Sequence, residues 1–178
     1  MVELIFAVCD ANAFRSEHGD LLHPAVLTRE EVILRFAPAK RNAQRVVFTN
    51  GCFDLLHPGH IQLLESARAL GDALVVGINS DESVRILKGE GRPVIPQQER
   101  AEILASFECV DAVVIFDELT PRETVAALLP DVLVKGGDWP GNQIVGREEV
   151  EAAGGKVVLV DVVAGHSTTE ILQKIRAR

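Results

Sequence analysis

Short apolar runs recur at 46–48, 73–79, 112–116, 132–135 and 156–160, and between them lie segments with apolar residues at helical spacing: 58–70, 81–87, 97–107, 121–129, 147–153 and 169–176. A continuous apolar strand has no polar face, so both of its faces must be covered, and strands of that kind alternating with helices build a parallel sheet. Gly71-Asp72 and Gly154-Gly155 supply helix stops just before strands. The expected fold is therefore α/β, a doubly wound sheet of five parallel strands with helices on both faces. In such folds ligands collect beyond the carboxyl ends of the strands, so residues that carry chemistry are expected just after each run.

Residues 1–44 read as an N-terminal extension and residues 45–178 as the domain proper. Thr28-Arg29-Glu30-Glu31 has the pattern of a capping box ahead of Val32, Ile33, Leu34 and Phe36, which predicts a short helix ending before Pro38. Residues 1–26 show no clear period, and residues 40–44 form a polar connector.

The run Thr49-Asn50-Gly51-Cys52-Phe53-Asp54-Leu55-Leu56-His57-Pro58-Gly59-His60 follows the first strand and opens a helix. A helix N-terminus carries unpaired N–H groups and a partial positive charge, so anions bind there. Pro58 suits the first turn because its missing N–H costs nothing there, and Gly59 lets a phosphate approach the backbone. His57 and His60, one turn apart, can face the same anion. Taken alone, the spacing leaves three readings open: a phosphate cradle, a metal pair, or two surface histidines placed by chance. Zinc normally takes three or four ligands, and neither HExxH nor CxxC accompanies this pair.

The net charge of −8 argues against a general nucleic-acid surface, while a local basic cluster can still hold a small anion. Cys9, Cys52 and Cys109 are scattered and odd in number, which suggests reduced thiols in a cytoplasmic protein. Cys52 reads as a small filler beside Phe53 rather than a nucleophile, since no base accompanies it. The apolar residues 1–8 include Glu3 and lack a basic flank, so neither a signal peptide nor a membrane span is expected.

Further candidates follow the later strands: Asn79-Ser80-Asp81, the basic loop of Lys88, Gly89 and Arg92-Pro93, Arg100 on the next helix, Lys135-Gly136-Gly137-Asp138-Trp139, and Gly165-His166-Ser167-Thr168-Thr169. Each has a plain alternative. Lys88 and Arg92 suit solvated loop charges, Arg100 could pair with Glu99 or Glu102, Ser167-Thr168 makes a good N-cap, and Trp139 could pack over its loop. Their joint placement beyond strand ends favours a site for two phosphorylated ligands. No GxxxxGK[ST] and no GxGxxG after a strand is present, which disfavours P-loop kinase and dinucleotide redox chemistry.

On these motifs the chain resembles the cytidylyltransferase-like nucleotidyltransferases, whose signature is HxGH near the first strand and a Ser/Thr-rich segment before the last helix. The runs 46–54, Asn79-Ser80-Asp81, Lys88-Gly89 with Arg92-Pro93, 133–138 and Ser167-Thr168-Thr169 look most like the branch that makes ADP-heptose from heptose 1-phosphate. The resemblance covers residues 27–175. It departs at Trp139, where a tyrosine is common, and the length suggests the stand-alone form rather than the form fused to a sugar kinase.

The resemblance implies a Rossmann-like fold and AMP transfer from ATP to a heptose 1-phosphate, with magnesium accompanying ATP and a homodimer possible in principle. It implies catalytic roles for His57, His60 and Lys88. Thr49, Asn50, Gly51, Phe53, Gly59, Arg100, Lys135, Gly136, Gly137, Asp138, Ser167, Thr168 and Thr169 would bind the nucleotide. Asp54, Asn79 and Arg92 would serve the sugar phosphate. No protein-held metal, nucleic acid or membrane is implied. The alternatives are a cytidylyltransferase for glycerol 3-phosphate or phosphoethanolamine, an FMN-forming adenylyltransferase, and a non-catalytic nucleotide-binding module.

Overall fold

The computed structural model describes residues 23–137, 144–161 and 168–177. Among them six strands form one sheet: β1 (Val26–Leu27), β2 (Val46–Gly51), β3 (Ala73–Asn79), β4 (Ala112–Phe116), β5 (Val132–Gly136) and β6 (Lys156–Val160). The helices are α1 (Arg29–Phe36), α2 (Pro58–Arg68), α3 (Asp81–Lys88), α4 (Gln97–Ala105), α5 (Arg122–Leu128), α6 (Arg147–Ala152) and α7 (Thr168–Arg176). The sheet order is β1-β4-β3-β2-β5-β6 and every pairing is parallel.

Side-chain alternation along the strands divides the core into two layers. Val47 on β2 and Leu74, Val76 and Ile78 on β3 face one layer, which is closed by Leu64 and Ala67 of α2 and Ala101 and Leu104 of α4. Val46, Phe48, Ala73 and Val75 face the other, closed by Val32 and Phe36 of α1, Val125 and Leu128 of α5, and Val150 of α6. Each fully buried Val, Leu or Phe side chain contributes roughly 1.5–3 kcal/mol, so the layers fix which face each helix covers. Gly77 lets Phe48 and Phe116 pack across β3, since a Cβ there would lie 2.7 Å from Phe48 Cζ.

The expected strand count of five is corrected to six. The additional strand, β1, has two residues, too few to show a period. It pairs with β4 through Val26↔Val113 and Leu27↔Val114 at the sheet edge. The helix expected in an N-terminal extension exists as α1, with Thr28 and Glu31 forming the full capping box. It is no appendage: Val32 and Phe36 are 0% and 3% exposed in the second layer. Residues 1–22 lie outside the described residues.

At the amino ends of the strands a repeated device sets the register. Asp72, Asp111 and Asp131 each immediately precede a strand, and each carboxylate accepts an N–H from a neighbouring strand segment: Arg45 at 2.8 Å, Leu74 at 2.8 Å and Val46 at 2.7 Å. Charge-assisted bonds of this kind satisfy donors that the ladder leaves open.

Candidate active site

From β2 the chain steps to β3 and β4 on one side of the sheet and returns to place β5 and β6 on the other. The carboxyl ends of β2 and β5 therefore flank the crevice where strand order reverses, the usual ligand position in such sheets. The β2–β5 register ends at Thr49↔Val134. Beyond it, side chains continue the connection. Buried Thr49 donates its hydroxyl to the Val134 carbonyl at 3.1 Å, and the Lys135 ammonium donates to the Asn50 side-chain oxygen in a very short bond.

After β2 the backbone turns sharply, with Phe53 at φ +46°, a conformation uncommon outside glycine. His57 is the N-cap of α2 and makes no side-chain capping bond, while Pro58 opens the helix as expected. The His57 and His60 rings stack with centroids 3.8 Å apart and planes inclined by 26°, and Phe53 lies 5.0 Å from the His60 ring. Burial, helped by the adjacent His57, pushes the His60 pKa down to about 4. His60 is thus neutral at physiological pH, and its enclosed Nδ1 has no hydrogen-bond partner. The pair forms one stacked polar surface on one face of the N-terminus of α2. Thr168, the first residue of α7, donates its hydroxyl to the Leu55 carbonyl at 3.3 Å. This bond sets the N-terminus of α7 beside the same turn; Thr169 is exposed.

On the other side lie the end of β3 and the loop before α4. The Asp54 carboxylate is committed within the protein: it accepts from Arg92 Nε in a very short ion pair and from the N–H groups of Val94 at 2.8 Å and Ile95 at 3.0 Å. Arg100 is 1% exposed. Its guanidinium donates to the carbonyls of Ile95 at 2.9 Å, Cys52 at 2.5 Å and Asn79 at 2.9 Å, and to Asp81 at 2.7 Å. Its ion pair is with Asp81, not with Glu99 or Glu102 as the sequence alternative had it. Four donors used internally make Arg100 a clamp on the ends of β2 and β3 and the 92–95 loop. One N–H of its five is left for a ligand, so the internal bonds make Arg100 chiefly a structural clamp beside the expected phosphate position.

Lys88 is exposed at the end of α3, ahead of Gly89 at φ +87°. Asn79 is buried, with its side-chain oxygen 4.0 Å from Cys52 Sγ. Burial pushes the Cys52 thiol up, which fits a packed filler rather than a nucleophile. Gly51 sits against the Phe53 ring, Gly59 lies in the first turn of α2, Gly136 ends β5, and Gly137 follows it, donating its N–H to the Val160 carbonyl at 3.0 Å. Asp138, Trp139 and Ser167 lie outside the described residues. Sequence reasoning missed Gln97, whose side chain accepts the Asp81 N–H at 2.7 Å, and the carbonyls of Leu55, Cys52 and Ile95. Main-chain acceptors carry no residue-type signal.

Residues 48–174, the stretch that carries both stacked histidines and both helix N-termini, match the model of the cytidylyltransferase-like family, and the chain belongs to that family. It is 55% identical over 163 residues to the bifunctional protein HldE of Koribacter versatilis, covering 92% of this chain and 34% of that protein. It is 58% identical over 139 residues to the bifunctional protein HldE of Geobacter sulfurreducens, covering 78% of this chain and 28% of that protein. The chain thus spans about a third of the length of these curated relatives. Among solved structures, the lipopolysaccharide core biosynthesis protein from Thermoplasma volcanium superposes with a TM-score of 0.57 at 26% identity, covering 68% of this chain and 98% of that one. A pantoate-beta-alanine ligase from Francisella tularensis shares the fold at 14% identity, with a TM-score of 0.55 over 86% of this chain and 78% of that one. No helix among the described residues is long and apolar enough to cross a membrane.

Proposed function

We propose that this chain transfers AMP from ATP to a heptose 1-phosphate, giving ADP-heptose and pyrophosphate. The observation that carries the reading is the stacked His57–His60 pair at the N-terminus of α2, with the N-terminus of α7 held beside it through Thr168 and Leu55. Two helix N-termini and two imidazoles form a receptor for a chain of phosphates. High identity to HldE proteins and the ordered motifs support the heptose branch.

In the reaction an oxygen of the acceptor phosphate attacks the α-phosphorus. One P–O bond forms, the bond from the α-phosphorus to the bridging oxygen breaks, and pyrophosphate leaves with the electron pair. A phosphate monoester has a second pKa of about 6, so the nucleophile is anionic at neutral pH and needs no general base. Catalysis then consists of alignment and of stabilising charge that shifts onto the departing pyrophosphate. His57 and His60 would act as donors to those oxygens, and the anions would in turn favour the imidazolium form that burial opposes. Thr168 and Thr169, with Ser167 before them, would hold the outer phosphates. Thr49, Asn50, Gly51, Phe53, Gly59, Gly136, Gly137 and Asp138 would border the nucleotide. Lys88 would bind the phosphates undergoing transfer, and Asn79 and Arg92 would border the sugar of the acceptor, with Asp54 holding Arg92 in place.

Magnesium accompanying ATP would be held by phosphate oxygens and water. Among the described residues no three His, Cys, Asp or Glu side chains converge on a cation position, and Asp54 and Asp81 are bound to Arg92 and Arg100. The free thiols of Cys52 and Cys109 suit a cytoplasmic site of action.

The test is pyrophosphate release with each nucleoside triphosphate against a panel of sugar and polyol phosphates. ATP with heptose 1-phosphate is expected to be the best pair. A CDP-linked compound as the main product in an equal mixture of ATP and CTP would overturn the assignment. In the same assay His60→Ala is expected to lower turnover by about 10²–10³ while ATP affinity changes far less.

A further inference from the structure

Arg92 at the strand ends is paired with Asp54, and Arg100 with Asp81, so each brings its own counter-ion. Lys88 is exposed at the end of α3. Lys135 differs from all three. It is half-buried at the end of β5, and its ammonium rests on a neutral acceptor, the side-chain oxygen of Asn50 at the end of β2. No carboxylate among the described residues forms an ion pair with it. An ammonium has three donors, of which Asn50 takes one. A cation withdrawn from water without a counter-ion is unfavourable until an anion arrives.

We infer that Lys135 is the residue that receives the phosphate group of the acceptor, with Asn50 holding its ammonium in place until that phosphate binds. The inference rests on the transfer reaction proposed above and replaces the nucleotide-pocket role expected for Lys135 from resemblance. The triphosphate of ATP already has two helix N-termini and two imidazoles. The acceptor brings a further anion, with a second pKa of about 6, into a site that is already negative. Its approach calls for a cation that no internal carboxylate has neutralised. A compact ammonium with rotatable donors can follow phosphate oxygens as they move toward phosphorus, which a fixed guanidinium fork does less readily.

Burial lowers the Lys135 pKa to about 8, and the titratable group acting against that shift is Cys52, on the turn after β2. A bound phosphate raises this pKa again. Acceptor affinity is therefore level between the phosphate's second pKa of about 6 and about pH 8 and falls as pH rises above that, and binding in the upper range takes up a proton.

The experiment titrates heptose 1-phosphate into protein saturated with α,β-methylene-ATP, at pH values on both sides of about 8 and in buffers of different ionisation enthalpy. Wild type is expected to take up a proton above that pH. Lys135→Met is expected to bind heptose 1-phosphate about 10–100-fold more weakly, with no proton uptake and unchanged affinity for the ATP analogue. Lys135→Arg keeps a permanent charge, so it should retain binding, without proton uptake and with a flat profile across the range around pH 8. The proposal is overturned if Lys135→Met binds heptose 1-phosphate as wild type does, or if it loses the ATP analogue instead. Should Lys135→Met fail to fold, Lys135→Arg decides: a pH profile falling as in wild type also overturns it. Wild type that binds heptose 1-phosphate through Lys135 yet releases no pyrophosphate with ATP would fail the transfer reading and leave this inference standing.

Discussion

Replacing Arg100 with methionine keeps the aliphatic stem and deletes the guanidinium that joins three loops. Four hydrogen bonds disappear, leaving the carbonyls of Ile95, Cys52 and Asn79 and the Asp81 carboxylate without that donor. The Asn79 bond is fully buried, whereas the Asp81 side chain is 28% exposed and can rehydrate. A buried acceptor left open costs about 1–3 kcal/mol, and breaking a buried ion pair costs about 3–5 kcal/mol. With Asp81 partly rescued by water, the total should fall within the ion-pair range. For a chain of this length that lowers Tm by roughly 6–20 °C. Thermal and urea melts of Arg100→Met measure the loss, and calorimetry with ATP on the folded variant measures the site. Arg100→Lys, which reaches fewer of the acceptors, should melt between the two. A variant that melts like wild type but has lost ATP affinity would refute the clamp and restore Arg100 as a phosphate ligand.

His60 has a folded-state pKa of about 4 against an ordinary value of 6.5, so the unfolded chain binds more protons between those values and stability falls as pH drops through that window. The loss is at most about 1.4 kcal/mol per pH unit, and urea melts should show a shallower decline for His60→Gln; equal slopes would refute it. Thr168→Val keeps shape but removes the hydroxyl that reaches Leu55 at 3.3 Å, and it should weaken ATP binding with a stability loss of about 1 kcal/mol or less. Unchanged ATP affinity by calorimetry would make Thr168 an ordinary helix start.

The five long strands and the helices between them were legible because apolar period and helix stops are local signals. The ranges 73–79, 112–116 and 156–160 match β3, β4 and β6 residue for residue. The capping box at Thr28 and the Pro58 start of α2 were likewise readable from a few neighbouring residues. β1 was not, since two residues show no period, and its place beside β4 is a long-range pairing. The roles of Asp72, Asp111 and Asp131 also went unread, although each precedes a strand, because their partners lie on other strand segments.

In the site, the chain alone determined that histidines, hydroxyls and cations would follow strand ends and face one edge of the sheet. Residue type and order are enough for that, because every parallel strand delivers its following loop to the same side. Tertiary structure decided which of those charges remain available. Arg92 and Arg100 look as cationic as Lys135 in the sequence, but Asp54 and Asp81 neutralise them within the fold, while Lys135 meets the neutral Asn50. A charge is neutralised by what lies near it in space, and those partners stand 38, 19 and 85 residues away along the chain.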